Sequence, residues 1–212
     1  MAGGFFDISY QQLTLYDQRI IDPEDDSRLE KDLMNAQKQA SMSRSPQASR
    51  TAIETLAGFI EEAYEGDPDQ SLLANLHNLR EQDWDSIPPG GGRSIVDILE
   101  HVGWCKWMYE DYAFGKGTLR GDQPPLVPSG GARTRPRDEL LDWLKEGHTR
   151  WLASVRALAN DAELDRKRLT NWGEYLSTRV IIRIMISHDL YHAGEINHIR
   201  ALLHSNDQWF YD

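Results

Sequence analysis

Residues 187–203 read SHDLYHAGEINHIRALL and hold three of the chain's seven histidines. His188 and His192 stand four apart, so on a helix they stack on one face. That is the spacing two imidazoles need to share one metal ion. His198 lies six beyond His192, and at about 100° per residue it points away from both. Glu195, seven past His188 and three past His192, shares their face. Ile181, Ile184, Met185, Ile199 and Leu202 fall on that face or close to it, so the pair sits on the core side of an apolar stripe. Two adjacent buried imidazoles are costly unless something satisfies their nitrogens. A backbone or carboxylate partner for each is one solution. A shared divalent ion is the other, and the paired spacing favours it. The helix predicted around them starts near Ser177 and ends near Leu203, which at 1.5 Å per residue is roughly 40 Å long.

A helix of that length with an apolar face needs partners, and the rest of the chain supplies three. TAIETLAGFIEEAYEG, from residue 51, puts Ile53, Leu56, Ala57, Ile60 and Tyr64 on one stripe. After Gly66, Asp67 and Pro68 the helical signal resumes in SLLANLHNLREQDW with Leu72, Leu73, Leu76 and Leu79. SIPPGGGRS is a loop on Pro and Gly grounds, and Ser94 is a helix N-cap for a segment reaching Phe114. Thr134, Pro136, Asp138 and Glu139 mark another start, followed by Leu140, Leu144, Trp151, Leu152, Val155 and Leu158. Four long amphipathic segments with almost no strand signal predict an all-α fold, a four-helix bundle. The connection between the second and third helices is long and is expected to cross over. NDAELDRKRLTNWGEYLS reads as a second connection.

NAQKQASMSRSPQASR, residues 35–50, is polar and poor in large apolar side chains, and reads as a linker. The domain reading is therefore 1–50 as an N-terminal arm and linker, 51–206 as the bundle, and 207–212 as a tail. With 23 basic against 34 acidic residues the formal net charge is −11, which argues against nucleic acid as the main partner. There is no polybasic membrane patch and no run of apolar residues long enough to span a bilayer. The start of the chain shows no signal peptide, and the single cysteine, Cys105, allows no disulfide within one chain. A cytoplasmic protein is the expectation.

A mononuclear site needs a third ligand, and His101 is the best candidate. It lies in the middle of the second helix, with Ile98, Leu99, Val102 and Cys105 nearby. His77 and His148 read as exposed. Cys105, four after His101, is an alternative ligand or a redox-sensitive neighbour, and reads first as a small buried hydrophobe. Imidazole ligands suit zinc and nickel alike.

SIVDILEHVGW (94–104) followed by ISHDLYHAGEINHIRALL (186–203) resembles the DinB-like, or YfiT-like, superfamily. The resemblance covers about residues 51–205. It implies a four-helix bundle with a long crossover, and its metal triad falls on His101, His188 and His192. It implies thiol chemistry as well. Relatives of known activity are mostly transferases or isomerases that activate a low-molecular-weight thiol, such as mycothiol or bacillithiol, for attack on a small electrophile. It also implies a homodimer.

Two other readings stand beside a thiol transferase. HDLYH resembles the zincin His-Glu-x-x-His with Asp189 in place of the base, and Glu195 is a second candidate base, which together suggest a metal-dependent hydrolase of a small molecule. Glu195 reads equally well as a carboxylate orienting a ligand histidine. A non-enzymatic reading takes the metal as a staple of a bundle that serves assembly. Trp104, with Trp107, Tyr109 and Tyr112, crowds the second helix and reads as core or as an aromatic pocket. Trp172 and Tyr175 are candidate rim residues. Arg183 and Arg200 are cations that an anionic thiol would want, and read first as solvated surface residues.

Overall fold

A computed structural model describes residues 49–120 and 136–205. The arm and linker expected before residue 49, the middle of the long connection and the C-terminal tail lie outside the described residues. Among the described residues the fold is all-α, with four helices and one two-stranded ribbon: α1 Thr51–Glu61, α2 Ile95–Phe114, α3 Arg137–Arg156, β1 Lys167–Leu169, β2 Tyr175–Ser177 and α4 Thr178–His204. α2 packs on α3 and α4, and α1 packs on the same two helices, so the four close into a bundle.

Three of the four helices begin at residues the sequence marks. Ser94 Oγ accepts from Asp97 N, and Asp97 Oδ2 accepts from Ser94 N at 2.9 Å, a capping box that satisfies two donors the first turn leaves open. Pro136 precedes the first turn of α3, and Ser177 precedes that of α4. α2 and α3 approach closely because each gives the other a glycine. A Cβ on Gly103 would fall 2.8 Å from Trp143 Cε3, and one on Gly147 would fall 2.8 Å from Trp107 Cδ1. The two indoles occupy the space the missing side chains leave, and Trp107 Nε1 donates to Trp143 O at 3.2 Å. Each buried indole removes a large apolar area from water, about 2–3 kcal/mol apiece.

Two apolar clusters fill the bundle. The first takes Ile95, Ile98, Leu99 and Val102 of α2, Leu140, Trp143 and Leu144 of α3, and Ala193, Ile196 and Ile199 of α4. The second takes Ile53, Ala57 and Ile60 of α1, Trp151, Leu152 and Val155 of α3, and Ile181, Ile182 and Met185 of α4. Between the α4 residues of the two clusters lie His188, Asp189 and His192. Between those of α3 lie Gly147 and His148. A polar layer therefore divides the core.

Three sequence expectations are corrected here. SLLANLHNLREQDW does not resume a helix. It forms short 3₁₀ turns at Ala74–Leu76 and Glu81–Asp83, and α1 ends in a π-helical turn at Glu62–Gly66. The reason lies on α4, where Arg200, only 1% exposed, donates to the carbonyls of Asn75 (2.9 Å) and His77 (2.6 Å) that a helix would use internally. Asn78 then turns with φ 55°. Arg200 is thus a buried anchor and not a surface cation. His148 is buried as well, stacked on Tyr64 with ring centroids 3.7 Å apart, while His77 is exposed as expected. The second connection contains the β1–β2 ribbon, paired Lys167↔Ser177 and Leu169↔Tyr175. Arg168 holds it down by donating to Thr178 Oγ1 and Ala113 O. No described helix is long and apolar enough to cross a membrane.

Candidate metal centre

α2 and α4 meet at three imidazoles. His101 comes from the middle of α2, and His188 and His192 from successive turns of α4. Ring centroids are 4.4 Å apart for His188–His192, 5.1 Å for His101–His188 and 5.0 Å for His101–His192. His188 Nε2 lies 3.2 Å from His101 Nε2 and 3.2 Å from His192 Nε2. The structure thus brings together the three histidines that spacing picked out. Cys105, one turn after His101, joins them: its Sγ is 3.8 Å from His101 Nε2. Ligating atoms of His101, Cys105 and His188 all lie within 4.8 Å of one another, a group that could hold a metal ion.

The protonation states favour a cation. Burial first, then the neighbouring imidazoles and Arg93, keep His101 below its usual range. The same causes, with Lys106, push His188 down to about 3. Burial also lowers His192, against the pull of Glu195. All three are therefore neutral at pH 7, which is the ligating form. His192 Nδ1 donates to Glu195 Oε2 at 2.8 Å, so the lone pair of His192 is on Nε2 and aims at His188. His188 Nε2 faces two imidazole nitrogens at once, and one nitrogen offers either one proton or one lone pair. The two 3.2 Å contacts therefore cannot both be hydrogen bonds. His188 Nδ1 is also buried without a hydrogen bond. A cation among the Nε2 atoms removes the conflict, so the residues fit a divalent metal.

Glu195 does not stand free. It accepts from Arg93 Nη2 at 2.7 and 2.9 Å as well as from His192, making a relay from the loop before α2 to the imidazole. Asp189 points the other way. It is 2% exposed, and its Oδ2 accepts from Lys106 Nζ at 2.5 Å. Burial pushes its carboxyl up, and Lys106 pulls it back. Lys106 is fully buried and lies 5.1 Å from the centre of the Tyr64 ring. Burial likewise pushes the Cys105 thiol up to about 11, against Lys106.

The other candidates are spread more widely. Trp104 is half-buried against the first apolar cluster. Tyr109 sits one turn beyond Cys105, and its ring meets Trp172 edge-on at 5.9 Å. Trp172 is 45% exposed and donates to Glu174 of its own turn. Tyr112 is half-buried beside Gly117. Arg183 is exposed on α4, about 140° around the helix from His188. Tyr191 is 67% exposed and touches the His192 ring edge-on.

A family model of the DinB superfamily matches residues 68–196, more than half of the chain. The chain belongs to the DinB superfamily. The matched span of this DinB-superfamily chain contains His101, Cys105, His188, His192 and Glu195. No curated protein matches it.

Sequence reasoning missed Arg93 and Lys106. Lys106 follows buried Val102 by four residues, and Asp189 follows buried Met185 by four. Two opposite charges interrupting two apolar stripes was the available signal. Arg93 left none, because its partner is 102 residues away.

Proposed function

We propose that this protein is a metal-dependent enzyme that activates a low-molecular-weight thiol for transfer to, or isomerisation of, a small electrophile. His101, His188 and His192 are the proposed ligands of a zinc or nickel ion. The observation that carries the reading is the convergence of three neutral imidazoles, backed by the Glu195–Arg93 relay. A divalent ion held there supplies Lewis acidity and lowers the pKa of a thiol or water bound to it.

The chain's own residues do the rest. Glu195 keeps the proton of His192 on Nδ1 and fixes the ring, and Arg93 fixes Glu195. His101 presents part of its ring to solvent while His192 is buried, so the cluster is open on the α2 side. That opening supports an exchangeable position over a purely structural staple. The apolar walls of the two clusters exclude water from the buried side. Tyr109, one turn from Cys105, and Trp172 against its ring offer an aromatic edge to an acceptor. The hydrolase reading is weaker on this geometry. Asp189 is locked to Lys106, and Glu195 is held by His192 and Arg93, so neither carboxylate is free to act as a base.

Metal content measured by mass spectrometry on tag-free wild type and His188→Ala tests the reading. About one divalent ion per chain, lost in the variant, followed by turnover of a thiol with an electrophile, supports it. No ion after incubation with zinc or nickel at neutral pH refutes it. Homodimerisation and a cytoplasmic location are part of the same proposal, and gel filtration with light scattering tests the first.

A further inference from the structure

The sulfur nearest the imidazoles belongs to the protein itself. Four donors bound tetrahedrally to one zinc ion are separated by fixed edges. With Zn–N about 2.05 Å and Zn–S about 2.3 Å, the N···N edge is about 3.3 Å and the S···N edge about 3.6 Å. The two Nε2–Nε2 distances here are 3.2 Å, and Cys105 Sγ lies 3.8 Å from His101 Nε2. These three spacings match within a few tenths of an ångström; the mutually close group is His101, Cys105 and His188, and His192 joins it through its 3.2 Å contact to His188. Sγ lies within 4.8 Å of the ligating nitrogen of His188. Cys105 is 6% exposed and also packs in the second apolar cluster, so it has a place to rest when it is not bound.

From this we infer that Cys105 is an exchangeable internal ligand, which caps the metal at rest and is displaced by the incoming thiol. The inference rests on the three-histidine reading above. The exchange balances without any further reactant. The sulfur of the entering thiol bonds to the ion, the bond between the ion and Cys105 Sγ breaks, and the proton of the entering thiol ends on Cys105. Nothing is oxidised or reduced. The thiol enters from the α2 side, where His101 is exposed, and Cys105 withdraws among its apolar neighbours. Only a thiol can make this trade evenly, because water would replace a metal–sulfur bond with a weaker metal–oxygen one. The internal sulfur thus selects thiol over water and keeps the resting ion from acting on water.

The test uses the full-length chain loaded with cobalt(II) in thiol-free buffer. Thiolate-to-cobalt charge transfer absorbs in the near ultraviolet and counts cobalt–sulfur bonds, while the visible d–d bands report that cobalt is bound. Wild type is expected to show the charge-transfer band, and Cys105→Ala to lose it while keeping the d–d bands. Added thiophenol should move the wild-type band to the wavelength of its own thiolate at unchanged intensity per cobalt, and restore a band there in Cys105→Ala; a wild-type band that neither moves nor grows shows that Cys105 is not displaced and overturns the exchange. Cobalt bound without the band in wild type overturns the role of Cys105 and leaves the three-histidine reading standing. An equal gain in both proteins on adding thiol shows addition, and overturns the exchange. Failure to bind cobalt at all overturns the three-histidine reading and this inference with it. Cys105→Val, which keeps the buried volume, replaces Cys105→Ala if the latter does not fold.

Discussion

Replacing Lys106 with methionine should destabilise the bundle more than any change of similar size on its surface. The side chain of Lys106 is fully buried, and that of Asp189 is 2% exposed. Their contact at 2.5 Å is the one that neutralises the carboxylate, since Asp189 Oδ1 makes no hydrogen bond. Lys106→Met keeps the length and apolar stem but strands a carboxylate in the core. Breaking one side of a buried pair costs about 3–5 kcal/mol, which for a domain of this size is roughly a 10 °C fall in Tm. Removing both charges, as Lys106→Met with Asp189→Leu, should recover most of that loss, because two desolvated charges give way to apolar contact. Without its cation, Asp189 is raised further by burial, so the folded state binds a proton that the unfolded state releases. Stability then falls as pH rises, and the deficit of the single variant relative to wild type should shrink from pH 8 to pH 5. Urea unfolding followed by far-ultraviolet circular dichroism, on chelator-treated protein, measures all three quantities. A single-variant loss below about 1 kcal/mol, or a double variant no better than the single, would refute the reasoning.

His148, which burial and then Lys106 hold at about 3, should make the protein acid-sensitive. The unfolded chain binds a proton below about 6.5 that the folded one refuses until about 3, so stability falls with pH through that window. The contribution is about 2 kcal/mol between pH 7 and pH 5, and His148→Phe should flatten the slope of urea stability against pH. If the slope persists unchanged, His148 is not its source. Gly103→Ala gains about 1 kcal/mol of helix propensity but drives a methyl into the Trp143 ring. A net loss of about 1–2 kcal/mol is expected, and a gain in stability would show that α2 and α3 have room to part. Glu195→Ala should weaken zinc binding roughly 10–100-fold in competition with a chromophoric chelator, with Glu195→Gln between it and wild type. Equal affinities in all three would deny the relay its role.

The sequence by itself determined the helices and the histidine pair. Ser94 and Pro136 mark starts through local chemistry, within one turn of where they act. The stripes of Ile53, Ala57 and Ile60, and of Leu140, Leu144, Trp151 and Val155, report burial through the 3.6-residue period, which any long amphipathic helix must show. His188 and His192 share a face for the same reason, and mid-helix His101 stood out as the partner to seek.

What only the tertiary structure decided is which neighbour each buried group meets. Periodicity says that a face is covered and is silent on what covers it. Lys106 and Asp189 are each an anomaly on an apolar stripe, and become a pair only because α2 and α4 place them side by side. Arg200 looked like a surface cation and is an anchor, because a loop folded over its face and gave it two carbonyls. His148 looked exposed beside Gly147, yet that glycine is what lets α2 come close and seal it in. Cys105 read as a small hydrophobe, and it is one. That it also stands beside two imidazoles follows from the crossing of two helices more than 80 residues apart in sequence, a distance over which local pattern carries no geometric information.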